Sequence, residues 1–235
     1  MVDGSGLVSA KSCWITHART SRAQSLPSVG CVRRFTMALL MACTDPKRRM
    51  HCWGSITDSM AQTLINQLHQ METQDAEKPI ELLINSPGGD LHAACAIVDV
   101  IASVSPPVHT TALGQCLSAA TLILAAGEPG HRVVHPSTRL MIHQAKKVSY
   151  AHSCGPVDMS QFDVMALEVE ISKNELKATN ELMIDMLARF THRTKEKLTT
   201  DLARDKFMSA AEAVGYGLAD LVHAPKTRKP AAVGV

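Results

Sequence analysis

Three residue types able to carry out hydrolysis stand in the order Ser118, His143, Asp205. Serine is a poor nucleophile until a base takes its proton. Histidine suits that task because its ordinary pKa lies near neutrality. A carboxylate behind the imidazole fixes its tautomer and stabilises the imidazolium. Each residue also has a plain structural reading. Ser118 is a good helix N-cap residue. His143 is one of eleven histidines. Arg204-Asp205-Lys206 reads first as a solvated charge run. Ser118 is not in a G-x-S-x-G elbow, because Gly114 precedes it by four positions.

The elements around these residues decide whether they can meet. Val108 to Leu113 is rich in β-branched residues and predicts a buried strand. Ala119 to Ala126 is nearly all apolar and predicts a helix that stops at Gly127. Ser118 thus falls at a strand-to-helix junction, where unpaired N–H groups and the positive dipole end favour an oxyanion. Arg139 to His143 predicts a short strand, so the histidine can lie beside the strand end that delivers Ser118.

Upstream, Arg49 to Gly54 reads as a strand. Thr57 or Asp58 caps a helix to about Gln74, with Met60, Leu64, Leu68 and Met71 at helical spacing. Pro79 to Asn85 is a second strand, and Ser86-Pro-Gly-Gly-Asp90 a tight turn. A helix from Leu91 to about Ala102 is stopped by Pro106-Pro107. This alternation from 49 to 127 predicts parallel strands. Arg132 to His135 is a further short strand.

The period disappears from Gln144 to Ser160. A long helix then runs from about Gln161 to Phe190, with Phe162, Met165, Val169, Leu176, Met183, Leu187 and Phe190 on one face, broken at Ser172 and near Thr179. It is too long for a small core to cover, so one end is expected to project toward a partner subunit. Lys195 to Leu202 is a shorter helix. Ser209 and Glu212 form a capping box for another, which ends at Gly215-Tyr-Gly217. Leu218 to Val222 predicts a last strand.

Composition excludes several classes. Apolar residues at 46% predict a globular chain, and 3% aromatics argue against a base-stacking platform. A net charge of +2 implies no polyanionic partner. Seven cysteines without a CxxC pair read as free thiols in a reducing compartment. No run reaches the roughly 18 apolar residues of a membrane span. Residues 1–44 hold one acidic residue, Asp3, among arginines and serines. They read as a transit peptide or disordered leader, with a mitochondrial matrix address preferred to a plastid one. Residues 45–223 are then the folded domain, and 224–235 a basic tail.

Asn85-Ser-Pro-Gly-Gly89, Gly114-Gln-Cys-Leu-Ser118, Leu124-Ala-Ala-Gly127, Met141-Ile-His-Gln144 and the run from Arg204 to Gly217 occur in this order. Together they resemble the proteolytic subunit of the Clp protease, the ClpP family of serine peptidases, over about residues 47–223. The resemblance implies an α/β fold of the ClpP/crotonase type, a superhelix of repeated β-β-α units with a long projecting handle helix. It implies Ser118 as nucleophile, His143 as base and Asp205, not Asp201, as the acid. It implies an oxyanion hole from the backbone N–H groups of Gly89 and Ala119.

The resemblance further implies two stacked seven-membered rings of identical subunits, fed with unfolded polypeptide by an ATP-driven AAA+ unfoldase. The chemistry then needs no cofactor of its own, ATP being used by the partner. No nucleic acid or membrane is implied. The chain departs from the family in Ala119-Ala-Thr121, where Met-Gly-Ala is usual, and in Ala145, where a proline is usual. It also lacks a glycine-rich handle loop between Lys146 and Val157. The other readings are an inactive ring subunit, a crotonase-type acyl-CoA enzyme, and Cys116 as nucleophile.

Overall fold

The computed structural model describes residues 48–146 and 162–224, excluding the side chains of 162–168. The leader 1–44, the tail from 225 and the segment 147–161 lie outside the described residues, as do the side chains of Phe162 and Met165. The described chain is α/β, with a mostly parallel sheet and, among the described residues, six helices.

Three strands, β1 (Arg49–Trp53), β2 (Ile80–Ser86) and β3 (Val108–Leu117), run parallel side by side. Their alternating inward residues, among them Cys52, Ile84 and Ala112, are buried together. Helices α1 (Asp58–Gln74) and α2 (Leu91–Ser103) bring Leu64, Leu68, Ile97 and Val98 into the same core. Thr57 caps α1 by accepting from Met60 N, and Asp90 caps α2 by accepting from Ala93 N.

The strand expected to stop at Leu113 runs on to Leu117. Its pairing with β2 slips between Ile84↔Ala112 and Ser86↔Cys116, a bulge that contains Gly114 at φ 65°. The bulge lets β3 change neighbours. Thr110 to Ala112 pairs with β4 (Arg132–Val134), and Gln115 to Leu117 pairs with β5 (Arg139–Ile142), both parallel. The two short strands therefore lie end to end along β3.

Helix α3 (Ala120–Ala125) follows Ser118 and is buried on every side. Helix α4 (Phe162–Thr191) is continuous through Ser172 and Thr179, so these residues interrupt its apolar face without interrupting the helix. Met183 and Leu187 join the core, whereas Val169 is 67% exposed. After α5 (Lys195–Leu202), strand β6 (Lys206–Met208) pairs antiparallel with β5. Helix α6 (Ala210–Tyr216) opens with the expected capping box and ends at Gly217, whose φ is 95°. Only Leu221–Val222 form the last strand, β7. Leu218 and Ala219 are buried in the turn before it, where the Leu218 N–H donates to Ala213 O.

Arg132 joins the ends of several elements. Its guanidinium makes a paired contact with Asp220 and donates to the carbonyls of Ala125, Phe190 and Gly217. This anchors the helix behind Ser118 to the ends of α4 and α6.

Candidate active site

Backbone pairing alone brings the three candidates together. Leu117 pairs with Met141, and the Ser118 N–H continues the ladder by donating to Met141 O at 2.7 Å. Ile142 pairs with Lys206 in the antiparallel β5–β6 ladder. Extending that register by one residue sets His143 opposite Asp205. The side chains close the relay. His143 Nε2 is 2.7 Å from Ser118 Oγ, and His143 Nδ1 is 3.1 Å from Asp205 Oδ1.

Ser118 has φ 55°, a left-handed conformation that costs a non-glycine residue on the order of 1–3 kcal/mol. It is not the helix cap: Ala119 occupies that position, and no side chain caps the helix. The hydroxyl instead meets the imidazole. The strained turn is held by Thr121, whose backbone N–H and hydroxyl both bond Ser118 O, at 3.0 and 2.6 Å. Thr121 belongs to the stretch that departs from the family pattern, and its hydroxyl supplies a contact that alanine lacks.

The glycine turn lies against this junction. Gly88 O accepts from Ile56 N, and Asp90 N donates to Ile56 O. That pairing does not use the Gly89 N–H. Among the described residues neither the Gly89 nor the Ala119 N–H has an acceptor. A Cβ on Gly88 would stand 2.7 Å from both Leu117 O and Ser118 Cβ, and one on Gly89 only 2.2 Å from Ile56 O. The close approach of the turn to Ser118 thus requires both glycines.

Ser118, His143, Gly89 and Ala119 all line one cleft of about 590 Å³. Its far wall is α4, through Ser172, Glu175, Leu176, Thr179 and Met183. The breaks in the apolar face of α4 are therefore cleft residues. His143 and its strand end are tied to the same frame: Gln144 N donates to Leu202 O at 2.9 Å and Ala145 N to Asn180 Oδ1 at 2.7 Å. A proline at 145 would lack that donor.

The carboxylates sort clearly. Asp205 faces His143. Asp201 is 7% exposed and receives Lys197, Lys206 and the Tyr216 hydroxyl. Burial works against its charge, but these three donors win and hold its carboxyl down at about 2. Lys146 is the residue that motif reading passed over as a partner. Its ammonium lies 3.0 Å from Asp205 Oδ1, the oxygen that His143 also contacts. The Lys146 hydrogen bond is the chief reason that the Asp205 carboxyl sits below its ordinary range, with His143 adding to it. Cys116 is no candidate nucleophile. It is fully buried, and desolvation pushes its thiol far above the usual range.

The family model described as Clp protease matches residues 36–226. The chain belongs to the Clp protease family. The match takes in the whole described fold and begins inside the stretch expected to be a leader. It also favours the peptidase class over a crotonase-type acyl-CoA enzyme. Within this family frame the described geometry is that of a hydroxyl, an imidazole and a carboxylate in line, beside two unpaired amides. Such an arrangement can activate a hydroxyl and receive an oxyanion.

Proposed function

We propose that this chain is a serine endopeptidase subunit of an ATP-dependent Clp complex, with Ser118, His143 and Asp205 as its triad. His143 Nε2 takes the Ser118 proton as Oγ attacks the peptide carbonyl. The oxyanion is received by the N–H groups of Gly89 and Ala119. Collapse breaks the C–N bond, and the amine leaves with the proton carried by His143. Water then attacks the acyl-serine, giving its proton to His143, and the serine is restored. Asp205 keeps the imidazole oriented and balances its charge throughout.

The observation that carries this reading is the unbroken relay of 2.7 and 3.1 Å from Ser118 Oγ through His143 to Asp205. The substrate is unfolded polypeptide lying in the cleft against α4. No metal or organic cofactor takes part, and ATP is consumed by an AAA+ unfoldase that docks on the assembly. The assembly is two stacked heptameric rings, with the exposed Val169 and Ile171 of α4 available for contact between subunits. The acidic-poor leader supports the mitochondrial matrix as the site of action.

Hydrolysis of a fluorogenic peptide and of unfolded casein by the full-length protein tests this, with particle mass recorded on the same samples. Cleavage on a multi-ring particle is expected, and Ser118→Ala should reduce it by three orders of magnitude or more. An intact ring that cleaves neither substrate would make the chain a structural ring subunit.

A further inference from the structure

Asp205 Oδ1 is contacted by two groups, His143 Nδ1 at 3.1 Å and the Lys146 ammonium at 3.0 Å. Lys146 reaches it from a backbone that is fixed just upstream. Gln144 is bonded to the end of α5 and Ala145 to Asn180 of α4. The lysine also lines the cleft that holds Ser118. Among the described residues, the other titratable groups lining the cleft are Asp90 and His92 from the start of α2 and Glu175 from α4. Asp90 is engaged in capping its own helix. Lys206, the neighbour of Asp205 in sequence, is turned to Asp201. Among the described residues, Lys146 is thus the ammonium that shares the acid of the relay.

We propose that Lys146 is a positioning residue of the triad, holding the Asp205 carboxylate and offsetting its negative charge where it faces His143. This rests on the serine-peptidase reading above. A lone carboxylate beside an imidazole favours the protonated ring. A lysine on the same oxygen repels that extra proton while it keeps the carboxylate in place. The lysine touches neither the serine nor the cleaved bond in this relay, so it acts through Asp205.

The test is the pH dependence of the rate at which a serine-directed phosphonate labels the full-length protein, with kcat/KM for a peptide followed in parallel. In Lys146→Met the acidic limb should move to higher pH by about half a unit, a size suited to a partly exposed pair. Lys146→Glu should move it further. Lys146→Arg, which keeps the cation, should restore the original limb. The gap between Lys146→Met and the unsubstituted protein should narrow at high salt, as screening predicts. Superimposable limbs for Lys146→Met and the unsubstituted protein would overturn the proposal and leave the peptidase reading standing. A protein that labels at no pH, while its particle is intact, would overturn both.

Discussion

Asp201 and Asp205 are the same residue type, one helical turn apart in sequence, in two different kinds of surroundings. Asp201 ends α5 almost out of solvent, with two lysines and a tyrosine hydroxyl on its oxygens. Asp205 sits in the turn before β6 with its side chain 45% exposed, and its partners are His143 and Lys146. The first is saturated and holds α5, α6 and the start of β6 together. The second is open, and one of its two partners must change its charge for the relay to work. A buried, fully satisfied carboxylate is a scaffold feature, whereas a half-exposed one facing a histidine can take part in chemistry.

The sharpest separation of the two comes from Asp205→Asn. It should lower kcat by roughly two to four orders of magnitude while the melting temperature stays within a few degrees, measured by peptide hydrolysis and calorimetry. Asp201→Asn should do the reverse. Losing the charge that holds two lysines should cost about 1–3 kcal/mol, seen as a lower melting temperature, with activity of the folded protein reduced only a few-fold. An Asp201→Asn protein that melts normally but has lost activity would exchange the roles assigned to the two residues.

The same contrast has a pH signature. The Asp201 carboxyl is held at about 2, below its unfolded value. Its contribution to stability is therefore complete above the ordinary carboxylate range and is lost as pH falls through about 2. The stability gap between Asp201→Asn and the unsubstituted protein should be widest near neutrality and close between about pH 4 and pH 2 in acid-unfolding curves. The smallest effect expected is from Tyr216→Phe. It removes one hydroxyl donor from Asp201 and should cost about 1 kcal/mol, measured by denaturant titration, with no change in the pH–rate profile.

The features legible in the sequence were those carried by local chemistry. The short run from Pro79 to Asn85 marked β2, Thr57 or Asp58 marked the start of α1, and Ser209 with Glu212 marked α6, because caps and short apolar runs act within a few residues. The motifs around Ser118, His143 and Asp205 led to three side chains that do meet. What local pattern missed depends on distant partners. Gly114 and Gln115 look like a strand's end, yet a bulge against β2 carries β3 on to a new neighbour, β5. Ser172 and Thr179 look like flaws in an apolar face because the cleft they line is made with residues far away in sequence. Lys146 stands in an aperiodic stretch, and only the fold brings it to Asp205.

The most direct measurement is reaction of the full-length protein with a fluorescent serine-directed phosphonate, with the adduct located by mass spectrometry, beside Ser118→Ala and His143→Ala. A single adduct on Ser118, absent from both variants, is the expected result. An assembled protein in which Ser118 stays unlabelled, or in which His143→Ala labels as fast as the unsubstituted chain, would contradict an activated serine at this site.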